Sequence, residues 1–487
     1  MAGLTDRDID LIARQIAADL RRGNSPAPSS ASVSTKPIEV SRGGVSGLGI
    51  FETVDQAVAA AGKAQPDFAA LSMEKRAEII ADIRRVMVAE AASLAKEAFE
   101  ETRLGRFDDK ILKNIVAAQK TPGTEDLIPL AFSGDCGLTI EEPAPFGVIG
   151  AIAPTTNPTS TIICNAIGMI AAGNSVVFNA HPRAKNVSAH NVAMLNEVIV
   201  RHGGPANVIT CVAVPTIESA GQLMKHKDIR LLVVTGGGAV VEAAMRSGKR
   251  AICAGPGNPP VVVDETANIE QAGRDIVLGA STDNNIICVC EKQCIVVDKV
   301  ADELLKVMQR NNAFLIDKGL LPQLEKAMFE KMAGPRGHAT INRDMVGQNA
   351  GVILSQLGIN VPDTVRLGII EVPEDHPMVW TEQMMPILPV VRVPNAAYAI
   401  SLGIASELRN QHSAHMHSKN LDNLSRMARE VKTSIFVKNG RSQAGIGLTG
   451  EGYASFTIAT PTGEGLTRAR DFARWRRCTL VDSFRIV

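Results

Sequence analysis

Apolar positions along the chain change period several times, and each change marks a different kind of element. Near the N-terminus, Ile9, Ile12, Ala13, Ile16 and Leu20 fall on one helical face, while Asp6, Arg7, Asp10, Arg14, Asp19 and Arg21 occupy the other. Thr5 stands where a cap is needed, with Asp8 three residues on, and Gly23 ends the pattern. The stretch that follows, to Ser46, is rich in Ser, Pro and Gly and reads as a flexible tether. Such a helix either packs on its own domain or acts as a detachable docking peptide with its apolar face in a partner's groove. The tether favours docking, because a helix meant for its own core seldom needs a spacer.

From Thr53 the pattern is helical again. Thr53 and Gln56 make a capping box, and Ala57, Ala60, Ala61 and Ala64 form a small-residue face. After Ser72 a longer helix is predicted, with Ile79, Ile80, Ile83, Val86, Met87, Ala91 and Leu94 at helical spacing. Residues 136–142 alternate apolar and polar, as a strand with one exposed face does. Beyond Gly147, apolar runs at Val148–Ala153, Ser175–Asn179, Val208–Val212, Leu231–Val234 and Ala251–Cys253 are separated by helix-length segments. That repetition predicts an α/β fold with a parallel sheet and right-handed crossovers, its ligands lying beyond the strand C-termini. A second α/β series starts past Gly257, with strands near Pro260–Val263 and Gln293–Asp298.

Composition narrows the partners. With 51 basic and 51 acidic side chains and 3% aromatics, the chain has no global field for phosphate backbones and few platforms for stacking bases, so no nucleic-acid partner is expected. No run of 18 apolar residues and no signal-peptide pattern occurs, so neither a membrane span nor secretion is expected. The eight cysteines, at 136, 164, 211, 253, 288, 290, 294 and 478, are scattered, which suits reduced thiols in the cytoplasm.

Two segments carry candidate chemistry. Thr235-Gly236-Gly237-Gly238 follows the Leu231–Val234 strand and precedes a helix, a geometry that offers backbone N–H groups and a positive dipole end to phosphate. A merely tight turn is the alternative. The second segment, Asn284 to Cys294, holds three thiols. Neither its C-x-C-x₃-C spacing nor the trio His412, His415 and His417 gives a recognised metal-ligand set, so no metal is expected. A nucleophilic cysteine needs a stabilised thiolate and an oxyanion donor nearby, and the Asn284-Asn285 turn before Cys288 is compatible with both. From the residues alone, Cys288 stays open between nucleophile and small buried side chain.

Four motifs then stand in register. Pro154-Thr155-Thr156-Asn157-Pro158, the Thr235–Gly238 turn, Asn284–Lys292 and Glu382-Gln383-Met384-Met385-Pro386 have the order and spacing of the aldehyde dehydrogenase superfamily, from about residue 50 to the C-terminus. More narrowly the chain resembles the CoA-acylating propionaldehyde and acetaldehyde dehydrogenases of bacterial microcompartments. Gly450-Glu451-Gly452-Tyr453, Pro461-Thr462-Gly463-Glu464-Gly465 and Arg476-Arg477-Cys478 look like that branch.

The resemblance implies a Rossmann-like cofactor domain (47–134 and 147–254), a second α/β catalytic domain (255–465) and a small β flap (135–146 and 466–487) joining subunits into dimers or tetramers. Residues 1–22 would be the docking helix, directing cargo to microcompartment shell proteins, and 23–46 its linker. Cys288 matches the family's nucleophile. Asn157 matches the amide that forms the oxyanion hole with the Cys288 backbone N–H. Thr155, Thr156 and the Thr235, Gly236, Gly237, Gly238 turn match the cofactor-binding stretches, and Glu382 the carboxylate that holds the nicotinamide ribose.

Two departures carry as much weight. Hydrolytic relatives have a Glu-Leu-Gly-Gly segment whose glutamate activates water. Here Ala254-Gly255-Pro256-Gly257-Asn258 has no carboxylate, and Asp264 and Glu265 lie beyond the next strand. Without a general base water is a poor nucleophile, whereas a thiol needs less help, so coenzyme A is the expected acyl acceptor. The alternative is another acid that reaches the site in space. Secondly, Asn179, Ala180, His181 and Pro182 replace the ribose-reading lysine and glutamate, leaving His181 to bind ribose or phosphate or to cap the next helix. The expectation is an NAD-dependent, CoA-acylating dehydrogenase of propionaldehyde or acetaldehyde. A hydrolytic dehydrogenase and a binding component of a protein shell are the alternatives.

Overall fold

The computed structural model describes residues 48–486. The expected docking helix and linker lie outside the described residues. Thr53 caps the helix Val54–Ala69 through a complete capping box, each member bonding the other's backbone N–H at 3.2 Å. Ser72 caps Met73–Ala89, its hydroxyl accepting from Lys75 N at 3.1 Å. The longer helix expected to run through Leu94 stops there. Glu90 leaves helical geometry at φ −93° and ψ 6°, and a separate helix, Ala91–Thr102, begins.

The first sheet contains β1 (Ile50–Phe51), β4 (Val148–Ile152), β5 (Ser175–Asn179), β6 (Ile209–Val212), β7 (Ile229–Thr235) and β8 (Ala251–Ala254) in the order β1-β6-β5-β4-β7-β8, all parallel. Every residue of β4, β5 and β6 is buried, as expected for a parallel sheet covered on both faces. After β4 the chain builds β5 and β6 to one side, then returns to build β7 and β8 on the other. The strand order therefore reverses at β4, and a crevice opens beyond the carboxyl ends of β4 and β7.

The second sheet is also parallel. It contains β9 (Pro260–Val263), β10 (Gln293–Val297), β11 (Ala313–Leu315), β14 (Leu367–Glu371), β15 (Ile387–Val393), β16 (Ser413–His417) and β17 (Ile435–Lys438), ordered β11-β14-β15-β10-β9-β16-β17. Two short ribbons, β12 (Phe329–Lys331) with β13 (Thr340–Ile341) and β18 (Ile458–Ala459) with β19 (Gly465–Leu466), flank these sheets in sequence. The chain crosses from the first sheet to the second between Ala254 and Pro260, through the segment without a carboxylate.

A third sheet stands apart, formed by β2 (Leu130–Gly134), β3 (Gly137–Pro145) and β20 (Ala473–Val481). β3 and β20 pair antiparallel over nine residues, from Ala473↔Pro145 to Val481↔Gly137. This flap is larger than the 135–146 segment expected from sequence, since Leu130–Gly134 also belongs to it. Among the described residues, no helix is long and apolar enough to cross a membrane.

Candidate active site

Asn157 ends the loop after β4 and stands at the N-cap of the buried helix Pro158–Ala171. Pro158 fits the first helical turn because its missing N–H would have had no partner there. The Asn157 side chain makes no capping bond; it is used elsewhere. Its Oδ1 accepts from Lys113 Nζ at 2.7 Å, and its Nδ2 donates to Thr156 Oγ1 at 3.2 Å. Lys113 also donates to the Thr156 carbonyl at 3.2 Å. The neighbouring Thr155 hydroxyl is buried without a partner.

Cys288 follows a turn of three consecutive left-handed residues, Asp283 (φ +47°), Asn284 (φ +53°) and Asn285 (φ +66°). Asp and Asn tolerate this region best among residues with a Cβ, yet three in a row store strain that the surroundings must hold. Asp283 pairs with Lys110 at 3.1 Å and with Lys113, and accepts from Arg106 N at 2.7 Å. Asn284 donates to the Gly347 carbonyl at 2.8 Å and to Asn349 Oδ1 at 2.9 Å, while Arg106 Nε donates to its Oδ1 at 2.9 Å. Asn285 donates to the Ala280 and Glu291 carbonyls at 2.7 and 2.9 Å. Gly347 N in turn donates to the Met384 carbonyl at 3.0 Å, tying the Glu382–Pro386 segment to the same scaffold.

Of the three clustered thiols, Cys290 and Cys294 are fully buried and Cys288 keeps part of its surface open. Burial, and then the Glu382 carboxylate, push the Cys288 thiol up to about 12; the Lys292 ammonium and the Cys288 and Val289 N–H groups oppose this. The thiol is therefore stored protonated. The pKa of Glu382 is itself raised by burial, with Lys292 and the Gly257 N–H opposing this, and its charge is felt at Cys288. Asp264, in contrast, sits at the far end of β9, fully engaged by Thr266, Ser418 and Asn423.

The carboxylate-free segment packs directly on the Cys288 backbone. A Cβ on Gly257 would lie 3.0 Å from both the Cys288 carbonyl oxygen and the ring of His412, a contact tight enough that these neighbours would have to shift. His412 is fully buried, its Nδ1 lies 2.7 Å from Ser413 Oγ, and its Nε2 has no partner. Desolvation holds it down to about 4, so the imidazole is neutral at pH 7. Sequence reading considered His412 only as a metal ligand; among the described residues no three His, Cys, Asp or Glu side chains group to hold a metal. Lys113 was missed altogether.

On the cofactor side, β7 ends at Thr235, whose hydroxyl lies 2.8 Å from that of Thr457, and Gly236 N donates to the Ala254 carbonyl at 3.2 Å. Gly237 and Gly238 are exposed at the start of the helix Gly238–Met245, and a Cβ on either would meet nothing within 4 Å. Space and free N–H groups thus lie over the turn, which suits a diphosphate. A carboxylate such as Glu382, whose charge is felt at Cys288, suits a ribose diol, so the residue types present fit a nicotinamide dinucleotide. At the end of β5, Asn179 is buried and accepts from Ser219 Oγ at 2.5 Å. His181 caps the turn Pro182–Ala184, its Nδ1 accepting from Arg183 N at 3.1 Å, which leaves the far ring nitrogen for a ligand.

The chain resembles known proteins over most of its length. Residues 48–453 match the aldehyde dehydrogenase family. The chain is 47% identical over 485 residues to the acetaldehyde dehydrogenase (acetylating) EutE of Salmonella typhimurium, covering 99% of this chain and all of that one. A solved structure of Rhodopseudomonas palustris propionaldehyde dehydrogenase, with bound CoA and an acylated cysteine, is 49% identical and superposes with a TM-score of 0.86 over 89% of this chain and 98% of that one. A propionaldehyde dehydrogenase from the fucose utilisation microcompartment of Clostridium phytofermentans is 46% identical, with a TM-score of 0.86 over 90% and 100% of the two chains. The chain belongs to the aldehyde dehydrogenase family.

Proposed function

We propose that this chain is an NAD-dependent, CoA-acylating dehydrogenase of two- or three-carbon aldehydes. The observation that carries the reading is the segment Ala254–Asn258, which packs through Gly257 against the Cys288 backbone and His412 and carries no carboxylate to activate water. Names of relatives support it: propanal dehydrogenase (CoA-propanoylating) of Salmonella typhimurium is 45% identical, and the R. palustris enzyme holds CoA with an acylated cysteine.

Cys288 gives up its proton to solvent, and its sulfur attacks the aldehyde carbon, making a thiohemiacetal. Asn157 Nδ2 and the Cys288 N–H donate to the developing alkoxide. Nicotinamide, when bound, supplies the hydride acceptor, and Glu382 orients it through the ribose. Loss of hydride leaves an acyl thioester on Cys288. The sulfur of CoA then displaces Cys288, and the proton given up by the CoA thiol ends on the departing Cys288 sulfur, releasing acyl-CoA and restoring the enzyme thiol. Glu382 also gives the hydrolytic alternative its only footing, because its charge reaches Cys288.

The flap supports self-association. Phe132, Trp475 and Val481 share one face of the flap by register and are 47–62% exposed, a patch that a second copy would cover, in a dimer or tetramer. The division into cofactor domain, catalytic domain and flap belongs to the same proposal. So does delivery to microcompartment shell proteins by residues 1–22; removing them should end co-purification with shell proteins and spare turnover, and the opposite result would overturn this part.

Mass spectrometry tests the covalent step. Enzyme treated with propionaldehyde and NAD should carry an acyl group on the Cys288 peptide, and added CoA should remove it. An unmodified Cys288 alongside NADH formation would overturn the assignment.

A further inference from the structure

Lys113, from the helix Phe107–Lys120, is nearly sealed from solvent at 6% exposure and donates to three oxygens: Asn157 Oδ1 at 2.7 Å, the Thr156 carbonyl at 3.2 Å and the Asp283 carboxylate. An ammonium has no acceptor, so the atom it meets on Asn157 is the amide oxygen. The other end of the carboxamide, Nδ2, is thereby fixed, with one hydrogen on Thr156 and one left over. We infer that Lys113 is the positioning residue of the oxyanion hole, holding the Asn157 carboxamide in one orientation and polarising its N–H toward the substrate oxygen.

This inference rests on the proposed role of Asn157. Charge and geometry support it independently of sequence motifs. Asp283 is shared by two buried cations, Lys110 and Lys113, so the cluster carries an excess positive charge beside the carboxamide. A cation on an amide oxygen draws electron density from the N–H groups and strengthens them as donors in a low-dielectric site. Asp283 also begins the left-handed turn that leads to Cys288. The same carboxylate therefore anchors the nucleophile's loop and the lysine that aims the oxyanion donor, fixing one against the other. That is a stronger requirement than burial, since a lysine placed only for packing has no need to meet an amide oxygen.

The experiment is a double-mutant cycle in the full-length enzyme. Asn157→Ala should lower kcat about 100-fold or more. Lys113→Met should lower kcat about tenfold or more with KM for NAD within about twofold, and Lys113→Arg should recover part of the loss. The double variant should be no slower than Asn157→Ala alone, because Lys113 acts through Asn157. Additive losses, or full activity in Lys113→Met, would overturn the inference while leaving the function standing. Full activity in Asn157→Ala would instead overturn the oxyanion reading beneath it. Lys113→Gln, which keeps a donor without the charge, serves if the methionine variant does not fold; unchanged kcat there would remove polarisation from the account.

Discussion

The ammonium of Lys292 lies 2.7 Å from the carbonyl oxygen and 2.6 Å from the side-chain oxygen of Asn285, the last left-handed residue before Cys288. Lys292 is completely buried, and its third contact is the Ile287 carbonyl at 3.4 Å. It closes the strained turn and is the cation that lowers the pKa of the nucleophile. Lys292→Met should therefore slow alkylation of Cys288 by iodoacetamide at fixed pH. It should also destabilise the fold by on the order of 1–3 kcal/mol, the cost of leaving buried oxygens unpaired. Alkylation kinetics and urea unfolding check the two effects separately.

Glu382 acts on the same sulfur with the opposite sign. Its carboxylate helps push Cys288 up to about 12, so Glu382→Gln should lower the thiol's pKa and speed alkylation of the free enzyme at pH 8. NAD-dependent turnover should fall at the same time, because the ribose diol would meet one neutral acceptor oxygen in place of a carboxylate. Alkylation unchanged across the pH range would contradict the proximity of the two groups.

Gly257→Ala puts a methyl group 3.0 Å from the Cys288 carbonyl oxygen and the His412 ring. Gly257 has no left-handed φ, so the fold should tolerate the change. The penalty should instead appear as a loss of turnover of about tenfold, since the Cys288 backbone must shift to admit the methyl group and misplacement of a reacting centre is costly. Steady-state kinetics with a parallel thermal melt separates the two.

Buried histidines set part of the pH dependence of stability. Desolvation pushes His417 down to about 4, while an unfolded histidine titrates near 6.5. The unfolded chain therefore binds this proton first, and stability is lost as pH falls from about 6.5 toward 4. Glu291 and Glu407, each raised to about 7 by burial, work the other way: the folded state holds their protons as pH falls through 7. His417→Gln should thus gain stability relative to wild type between pH 7 and pH 4.5, by up to about 3 kcal/mol. Parallel urea midpoints at the two pH values measure it; a constant difference would contradict the buried neutral form.

Much of this was legible in sequence because it is local. Apolar runs bounded by turns marked β4 to β8, and Thr53 and Ser72 announced their helices through hydroxyls placed to cap them. The break at Glu90 was not legible, because Val86, Met87, Ala91 and Leu94 keep helical spacing across it. Nor were the groups that hold the site. Lys113 and Asp283 are 170 residues apart, and nothing in the helix Phe107–Lys120 distinguishes a lysine facing inward from one facing water. His412 was visible, but its spacing to His415 and His417 carried no signal; its packing against Gly257 next to the Cys288 backbone exists only in three dimensions.

The account centres on a thioester that waits for a thiol, and NADH stoichiometry reads this directly. With aldehyde and NAD but no CoA, the enzyme should release about one NADH per active site and stop. Adding CoA should start continuous turnover with one acyl-CoA formed per NADH. Continuous NADH release with free carboxylic acid as product, at the same rate with and without CoA, would contradict the account.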